Sequence, residues 1–512
     1  MISKLLEWIK KNPLETLILL AIIVIAAFLR LYRISEYMTF LGDEGRDAII
    51  VRRLLVHADP ILIGPGTSIG NMYLGPVYYY MMAPALLVAG FSPVGPAVQV
   101  ALLGVATTVF VYFVGREWFG KWAAIIAASL FAISPVVIIY SRSSWNPNIM
   151  PFFALLTIYS VWKIWHKKNW VWLIILAISF TVVLQSHYLG LLLAPVIGFF
   201  WLLTLIETKE KKKEFVKKSI ISMVLFLVLM SPLIIFDARH GWLNFLAMKK
   251  FFTERQTTIS ARPWTAFPKA WPVFTKGVTR LVAAENKTVG IGLSAILIFG
   301  TGFCLLNRKI RKKIGPPMSL LLVWLGFATL GLCLYKQEIY DHYYGFFFPA
   351  PFILLGSLSQ LLIEKTGSLN KIPKYAIFFL TIVSLLILVA ANVKKNPLSE
   401  SPNRQLQRSE IVAKEILTHS KGQRFNLAVI ADRNYEDGYQ YFLEKENAPV
   451  VDIDAQRPET ITDQLFVVCE LPEEKCDPTH NPKAEIANFG WTKIEEKKEV
   501  AGVILYKLVH SK

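Results

Sequence analysis

The sequence predicts an α-helical polytopic membrane protein with about eleven transmembrane helices and a small C-terminal α/β domain. Three observations carry that prediction. Of 512 residues, 54% are hydrophobic and only 18% charged, and the mean hydropathy is +0.44, which excludes a disordered or ordinary soluble chain. The apolar residues come in runs of about twenty, the length that crosses a ~30 Å hydrocarbon layer. The net charge of +18 is unevenly spread: residues 395–512 carry 16 basic and 20 acidic side chains (−4), whereas residues 1–394 carry 39 and 17 (+22). The basic excess therefore sits between hydrophobic spans, where it holds orientation. A nucleic-acid partner would need a basic face on a polar domain, and the only polar domain is mildly acidic.

The apolar runs fall near 14–32, 95–115, 121–141, 149–165, 170–186, 189–206, 219–236, 288–306, 316–335, 345–363 and 375–393. A further stretch, Tyr73–Phe91, is interrupted by Pro76 and Pro84 and crowded with tyrosines. The basic clusters are Lys4/Lys10/Lys11, Arg116/Lys121, Lys163/Lys167/Lys168, Lys209–Lys218, Arg308–Lys313 and Lys365/Lys371/Lys374. All six fall on the cytoplasmic side if 73–91 does not cross, so that stretch is expected to be an interfacial or re-entrant helix. The N-terminus is then cytoplasmic in a multi-pass cell-membrane protein. The first span has a long apolar run and no small-residue cleavage site before Arg30, unlike a signal peptide. The opposite, extracytoplasmic face receives the loop 33–93, the span ends near 141–148 and 185–190, the loop 237–287, residues 335–345 and the domain 395–512.

In that domain, 425–431, 465–469 and 500–508 are strand-like, and 408–417 and 439–446 read as helices. Cys304 and Cys333 lie in spans as small apolar residues. Cys469 and Cys476 either form a local disulfide in an oxidising compartment or remain two free thiols.

The chemistry-bearing residues gather at the extracytoplasmic span ends. Asp43 and Glu44 follow a glycine just outside the first span and precede an amphipathic stretch, Arg46–His57. One reading makes the pair a helix cap. The other makes it a general base at the membrane surface, where desolvation raises a carboxylate's pKa, and the two are compatible. Arg142 ends the third span in Tyr140-Ser-Arg142, His187 ends the fifth, and Asp341-His342-Tyr343-Tyr344 opens the tenth. Any one of these suits an interfacial anchor. Together they suit a phosphate borne by a membrane lipid.

The Asp43-Glu44 pair, the Gly75-Pro76 helix, the Gly115-Arg-Glu-Trp-Phe-Gly120 turn and Tyr140-Ser-Arg142 occur in an order that resembles the family 39 type of GT-C membrane glycosyltransferases. That type includes protein O-mannosyltransferases and lipid A aminoarabinose transferases. The resemblance spans roughly 14–390 and is best over 30–165. It implies an inverting transfer of a sugar from a polyprenyl-phosphate donor to an acceptor hydroxyl. Asp43 matches the catalytic acidic position, with Glu44 its second member. Arg142 and His342, with Lys336, His187 and Tyr343 beside them, are candidates for the donor phosphate, and Arg46 and Asn146 for the substrate side. Asn146 departs from the pattern, since many relatives carry Asp before this proline, and Asn cannot serve as a base.

The expected organisation is thus a transmembrane GT-C glycosyltransferase domain over 1–394 and a soluble extracytoplasmic α/β domain over 395–512. The expected partners are a polyprenyl-phosphate sugar, a protein, lipid or glycan acceptor, and membrane lipids, with no nucleic acid. No cofactor is called for; an acidic pair alone does not specify a divalent metal. The rival expectation is a transporter or flippase of a lipid-linked saccharide, which would place polar groups in mid-span. Here the polar groups collect at one face.

Overall fold

The computed structural model describes residues 2–67, 72–253, 258–260, 262–366 and 371–511. The side chains of Lys4, Lys313, Lys365, Lys371 and Lys374 lie outside the described residues, as do positions 254–257 and 261 of the loop 237–287.

Each of the eleven apolar runs contains a helix: Pro13–Leu31, Val94–Trp118, Lys121–Ile133, Met150–Trp165, Trp172–Ser186, Ala194–Glu207, Lys212–Arg239, Lys287–Leu306, Arg308–Cys333, Pro349–Thr366 and Lys371–Lys394. By length and hydropathy, six described helices are long enough to cross a membrane, and a pair bent by 58° at Phe348 makes a seventh. Shorter segments have local causes. Pro135 stops the helix Lys121–Ile133 at Ser134, and the chain resumes as Pro135–Ile139, because proline disfavours a helical residue before it. The stretch around 73–91 forms the helix Val77–Val88 of 12 residues. At 1.5 Å per residue it reaches only about 18 Å.

The bundle shows its membrane character by what it leaves exposed. Leu14, Leu17, Leu20, Val24 and Phe28 face outward from the first span, and Ile220, Met223, Val224, Leu227 and Val228 from the helix Lys212–Arg239. Apolar patches of that extent fit a lipid solvent. Ile22 and Ala26 face inward, against Tyr112, Ala124, Ala128 and Ala132. At the start of the first span Glu15 accepts from Arg116 at 2.6 Å, Glu117 pairs with Lys163 at 2.8 Å and Lys168 with Glu207 at 2.6 Å. Arg116 and Glu117 of the Gly115–Gly120 turn thus fasten three helices at one end of the bundle.

The opposite end carries the C-terminal domain. Its strands β1 (Asn426–Ile430), β2 (Gln464–Cys469), β3 (Thr492–Val500) and β4 (Val503–His510) form one sheet in the order β1-β2-β4-β3. β1 and β2 are parallel and the other pairs antiparallel. The strand expected over 500–508 begins at Val503, because Ala501 and Gly502 both take positive φ and make the β3–β4 turn, as a two-residue hairpin requires. β3 is rich in Lys and Glu and lacks the apolar alternation that reveals a strand. Helices Gln405–Ser420 and Asp437–Lys445 cover the sheet. Cys469, at the end of β2, is disulfide-bonded to Cys476, and Cys304 and Cys333 are buried thiols.

The C-terminal domain has no separate core on the side facing the bundle. Leu406, Val412, Tyr439 and Phe442 join Ile34, Phe40, Ala48, Tyr79 and Leu86 in a single apolar cluster. Hydrophobic burial therefore seats the domain on the segment that carries the acidic pair.

Candidate active site

The acidic pair opens the helix Gly42–His57. Glu44 turns back, its Oε2 accepting the Leu41 N–H at 3.0 Å, which satisfies one of the unpaired amides of a helix start. Its side chain is buried, at 5% exposure, and burial pushes the carboxyl up to about 7, against the Leu41 hydrogen bond and reinforced by Asp43. Asp43 stays open, with 43% of its side chain exposed. The cap reading of the pair thus falls on Glu44 and leaves the Asp43 carboxylate accessible.

Arg46 stands between two aspartates. Its Nη1 donates to Asp43 Oδ1 at 2.8 Å, while Nε and Nη2 donate to Asp47 Oδ1 at 3.1 and 2.8 Å. Asp47 is fully buried, accepts the Tyr79 hydroxyl at 3.1 Å, and leaves Oδ2 without a partner among the described residues. Its carboxyl is raised to about 6 by burial, opposed by Arg46. The Tyr435 hydroxyl reaches Asp43 Oδ1 at 2.7 Å from the C-terminal domain.

A second cluster surrounds His342. Its ring lies 4.7 Å from Trp145, 4.6 Å from Tyr343 and 5.8 Å from His187, and His187 lies 5.2 Å from Tyr343. Asn146 donates to the Ser186 carbonyl at 2.6 Å, fixing the turn that holds Trp145 beside the end of the His187 helix. The two clusters meet through the helix Val77–Val88, whose adjacent tyrosines diverge. Tyr79 bonds Asp47, whereas Tyr78 shares a 2.6 Å bond with Ser144, next to Trp145.

Arg142 is placed differently from its neighbours. It is 2% exposed and donates to the carbonyls of Leu29 and Tyr32 at 2.5 and 2.7 Å, with Tyr37 under its guanidinium. It ties the end of the first span to the turn at 140–148. Lys336 is exposed, on the segment that leads to His342, with its backbone N–H on the Thr258 carbonyl. The loop 237–287 is anchored by Asp237, which accepts from the Asn244 and Phe245 amides at 2.6 and 3.0 Å, and by Asn244, which bonds Tyr73. Among the described residues no group of three or more His, Cys, Asp or Glu side chains is set to hold a metal ion.

Sequence reasoning missed Asp47, Tyr78, Tyr79, Ser144 and Tyr435. Asp47 carried a signal, standing beside Arg46 and one helical turn beyond Asp43. The tyrosine run 78–80 was visible but ambiguous, since aromatic residues crowd most membrane interfaces. Tyr435 gave no signal, because the resemblance stops before the tail.

A multi-pass helical bundle, an acidic helix start after its first span and an α/β domain seated over that helix make up a fold of the GT-C type. Residues 74–236 match the family model described as dolichyl-phosphate-mannose-protein mannosyltransferase. YkcB of Bacillus subtilis (strain 168), which carries a mannosyltransferase name, is 25% identical over 207 residues, covering 40% of this chain and 28% of that relative's length. ArnT from Cupriavidus metallidurans, solved bound to undecaprenyl phosphate, aligns over 96% of this chain and 97% of its own, with a TM-score of 0.59 and 12% identity. The oligosaccharyltransferase AglB from Archaeoglobus fulgidus, solved with an inhibitory peptide and a dolichol-phosphate, aligns over 90% of this chain and 70% of its own, with a TM-score of 0.56 and 14% identity.

Proposed function

We propose that this protein transfers a sugar from a polyprenyl-phosphate donor to an acceptor hydroxyl on the extracytoplasmic face, with inversion and with Asp43 as general base. The observation that carries the proposal is the division of labour within the acidic pair: Glu44 is used up as a cap, while Asp43 presents an accessible carboxylate beside Arg46. In this reaction the acceptor oxygen loses its proton to Asp43 and attacks the anomeric carbon. The bond from that carbon to the phosphate oxygen breaks, and the lipid phosphate leaves with the electron pair. A phosphate already leaves well, so one base suffices, and donors aimed at the phosphate stabilise the charge that grows on it.

His342, His187 and Tyr343 are assigned to the donor side, with Lys336 as a cation on the approaching segment. Arg142 acts there by holding the span end, since its Nη1 and Nη2 each donate to a backbone carbonyl. Asn146 sets the Trp145 turn at the substrate side, and Arg46 fixes Asp43. The ArnT and AglB structures, each solved with a polyprenyl-type lipid phosphate, support the choice of donor class. The same reading puts the N-terminus in the cytoplasm and the domain 395–512 outside.

The test is to incubate the purified protein in lipid nanodiscs with a panel of polyprenyl-phosphate sugars and measure release of the sugar-free lipid phosphate. Wild type should consume one donor and Asp43→Asn none. Equal consumption by both removes the base assignment. Transfer of intact donor across vesicles, with no cleavage of any donor, overturns the enzyme reading.

A further inference from the structure

The C-terminal domain reaches the acidic helix through a junction too close for ordinary side chains. Asn434 Oδ1 accepts both the Gly42 N–H at 2.8 Å and the Tyr435 N–H at 2.9 Å, so one side chain joins the helix start to the turn that carries Tyr435. Asn434 and Tyr439 are in turn held by Glu470, each at 2.6 Å. A Cβ on Gly42 would lie 2.5 Å from the Tyr435 ring, and one on Gly45 would lie 2.4 Å from the Asp437 backbone. Two glycines one turn apart admit this approach, and the Tyr435 ring has little room to move.

The hydroxyl at the end of that ring meets the carboxylate assigned as base. Tyr435 donates to Asp43 Oδ1 at 2.7 Å, and Arg46 Nη1 donates to the same oxygen at 2.8 Å and to the tyrosine oxygen at 3.2 Å. Both donors converge on Oδ1. Oδ2 has no partner among the described residues, and the side chain is open to solvent. A guanidinium facing a carboxylate alone tends to engage both oxygens, which would occupy the atom that must take the proton. Here Nε and Nη2 of Arg46 are drawn off by Asp47, leaving Nη1 as the one nitrogen on Asp43. A neutral hydroxyl supplies the second contact on Oδ1 without covering Oδ2.

We infer that Tyr435 is a positioning residue for sugar transfer: the C-terminal domain supplies the hydroxyl that fixes Oδ1 of Asp43 and keeps Oδ2 turned toward the acceptor. The inference rests on the reading of Asp43 as base. It makes the domain 395–512 part of the catalytic apparatus, since the first loop alone leaves the Asp43 carboxylate with one donor and a rotatable side chain. Orientation of a catalytic group is worth a large share of a rate.

Tyr435→Phe removes the hydroxyl and keeps the ring over Gly42. In the full-length protein in nanodiscs, with the donor consumed by wild type, kcat should fall about tenfold, the loss expected from one hydrogen bond to a charged group, while both KM values hold. Arg53→Ala breaks the Arg53–Glu444 ion pair of the same junction without touching Asp43 and should keep wild-type kcat. Equal losses in Y435F and R53A would make Tyr435 a docking contact and overturn the inference. Wild-type kcat in Y435F with an inactive D43N would overturn it too, while sparing the base assignment. An active D43N would remove the base assignment and the inference with it. Tyr435→His keeps a ring with an N–H donor and should turn over faster than Y435F, whereas equal rates would count against positioning. Should Y435F not fold, Y435H measured against wild type gives the same split, a lowered kcat at constant KM supporting the role and an unchanged kcat overturning it.

Discussion

Asp43 and Glu44 are neighbours in the chain with opposite fates: the Asp43 side chain is 43% exposed, whereas Glu44 is buried and accepts the Leu41 N–H at 3.0 Å. A helix start rotates successive side chains by about 100°, so the second of the pair folds under as the first points out.

The first prediction follows from that rotation. Glu44→Gln keeps an oxygen for the Leu41 amide and should retain most of the transfer rate, whereas Asp43→Asn should lose at least about a hundredfold, as expected for a general base. Initial rates of donor cleavage by the two variants provide the check. Equal losses would return the pair to a shared role.

Stability should depend on pH through the buried carboxyls. In the folded protein Glu44 is raised from 4.5 to about 7 and Asp47 from 3.8 to about 6, in each case chiefly by burial. Below about pH 3 both groups are protonated in the folded and unfolded states alike, and their contribution is at its fullest. As pH rises the unfolded chain ionises first, so stability falls between about pH 4 and pH 7. Glu44→Gln removes its own share, at most about 3 kcal/mol. Thermal unfolding in detergent should show E44Q gaining on wild type at pH 8 and matching it at pH 4. A gain of the same size at both values would show that Glu44 does not titrate between them.

Asp47 holds Arg46 from a fully buried position. Asp47→Ala leaves the guanidinium and the Tyr79 hydroxyl without their shared acceptor, and breaking such a pair from one side costs about 3 kcal/mol. A drop in midpoint together with a slower kcat is expected, because Arg46 also steadies Asp43. Asp47→Ala with the stability of wild type would refute the network.

Gly45 lies against the backbone at Asp437 and Gly438, where a methyl group has no room. Gly45→Ala should cost about 2–3 kcal/mol by overpacking and loosen the C-terminal domain. Limited proteolysis should then cut between the last span and Gln405 in the variant before it does so in wild type. Identical cleavage rates would mean that the junction yields more readily than its geometry allows.

The Cys469–Cys476 disulfide closes a short loop at the end of β2. Loop-closure entropy assigns it about 2–3 kcal/mol. Cys476→Ser should therefore lower the unfolding midpoint of the protein, and neither cysteine should alkylate before reduction. Labelling of Cys476 in the unreduced membrane protein would contradict the pairing.

The sequence by itself determined the helical bundle, the short helix at 77–88 and the position of the acidic pair just outside the first span. Those features rest on segment length and on polarity read along the chain. All eleven apolar runs contain helices; among the described residues six satisfy the length rule, or seven with the pair bent at Phe348, and the break before Pro135 leaves Lys121–Ile133 with 13 residues. Tertiary structure decided which residues work together. No periodicity could show that Arg142 would spend its guanidinium on Leu29 and Tyr32, that Tyr78 and Tyr79 would divide between Ser144 and Asp47, or that Tyr435 would return to Asp43. Such pairings are set by the burial of apolar faces distant in the chain. The hydrogen bonds then follow from which polar groups that burial brings within reach.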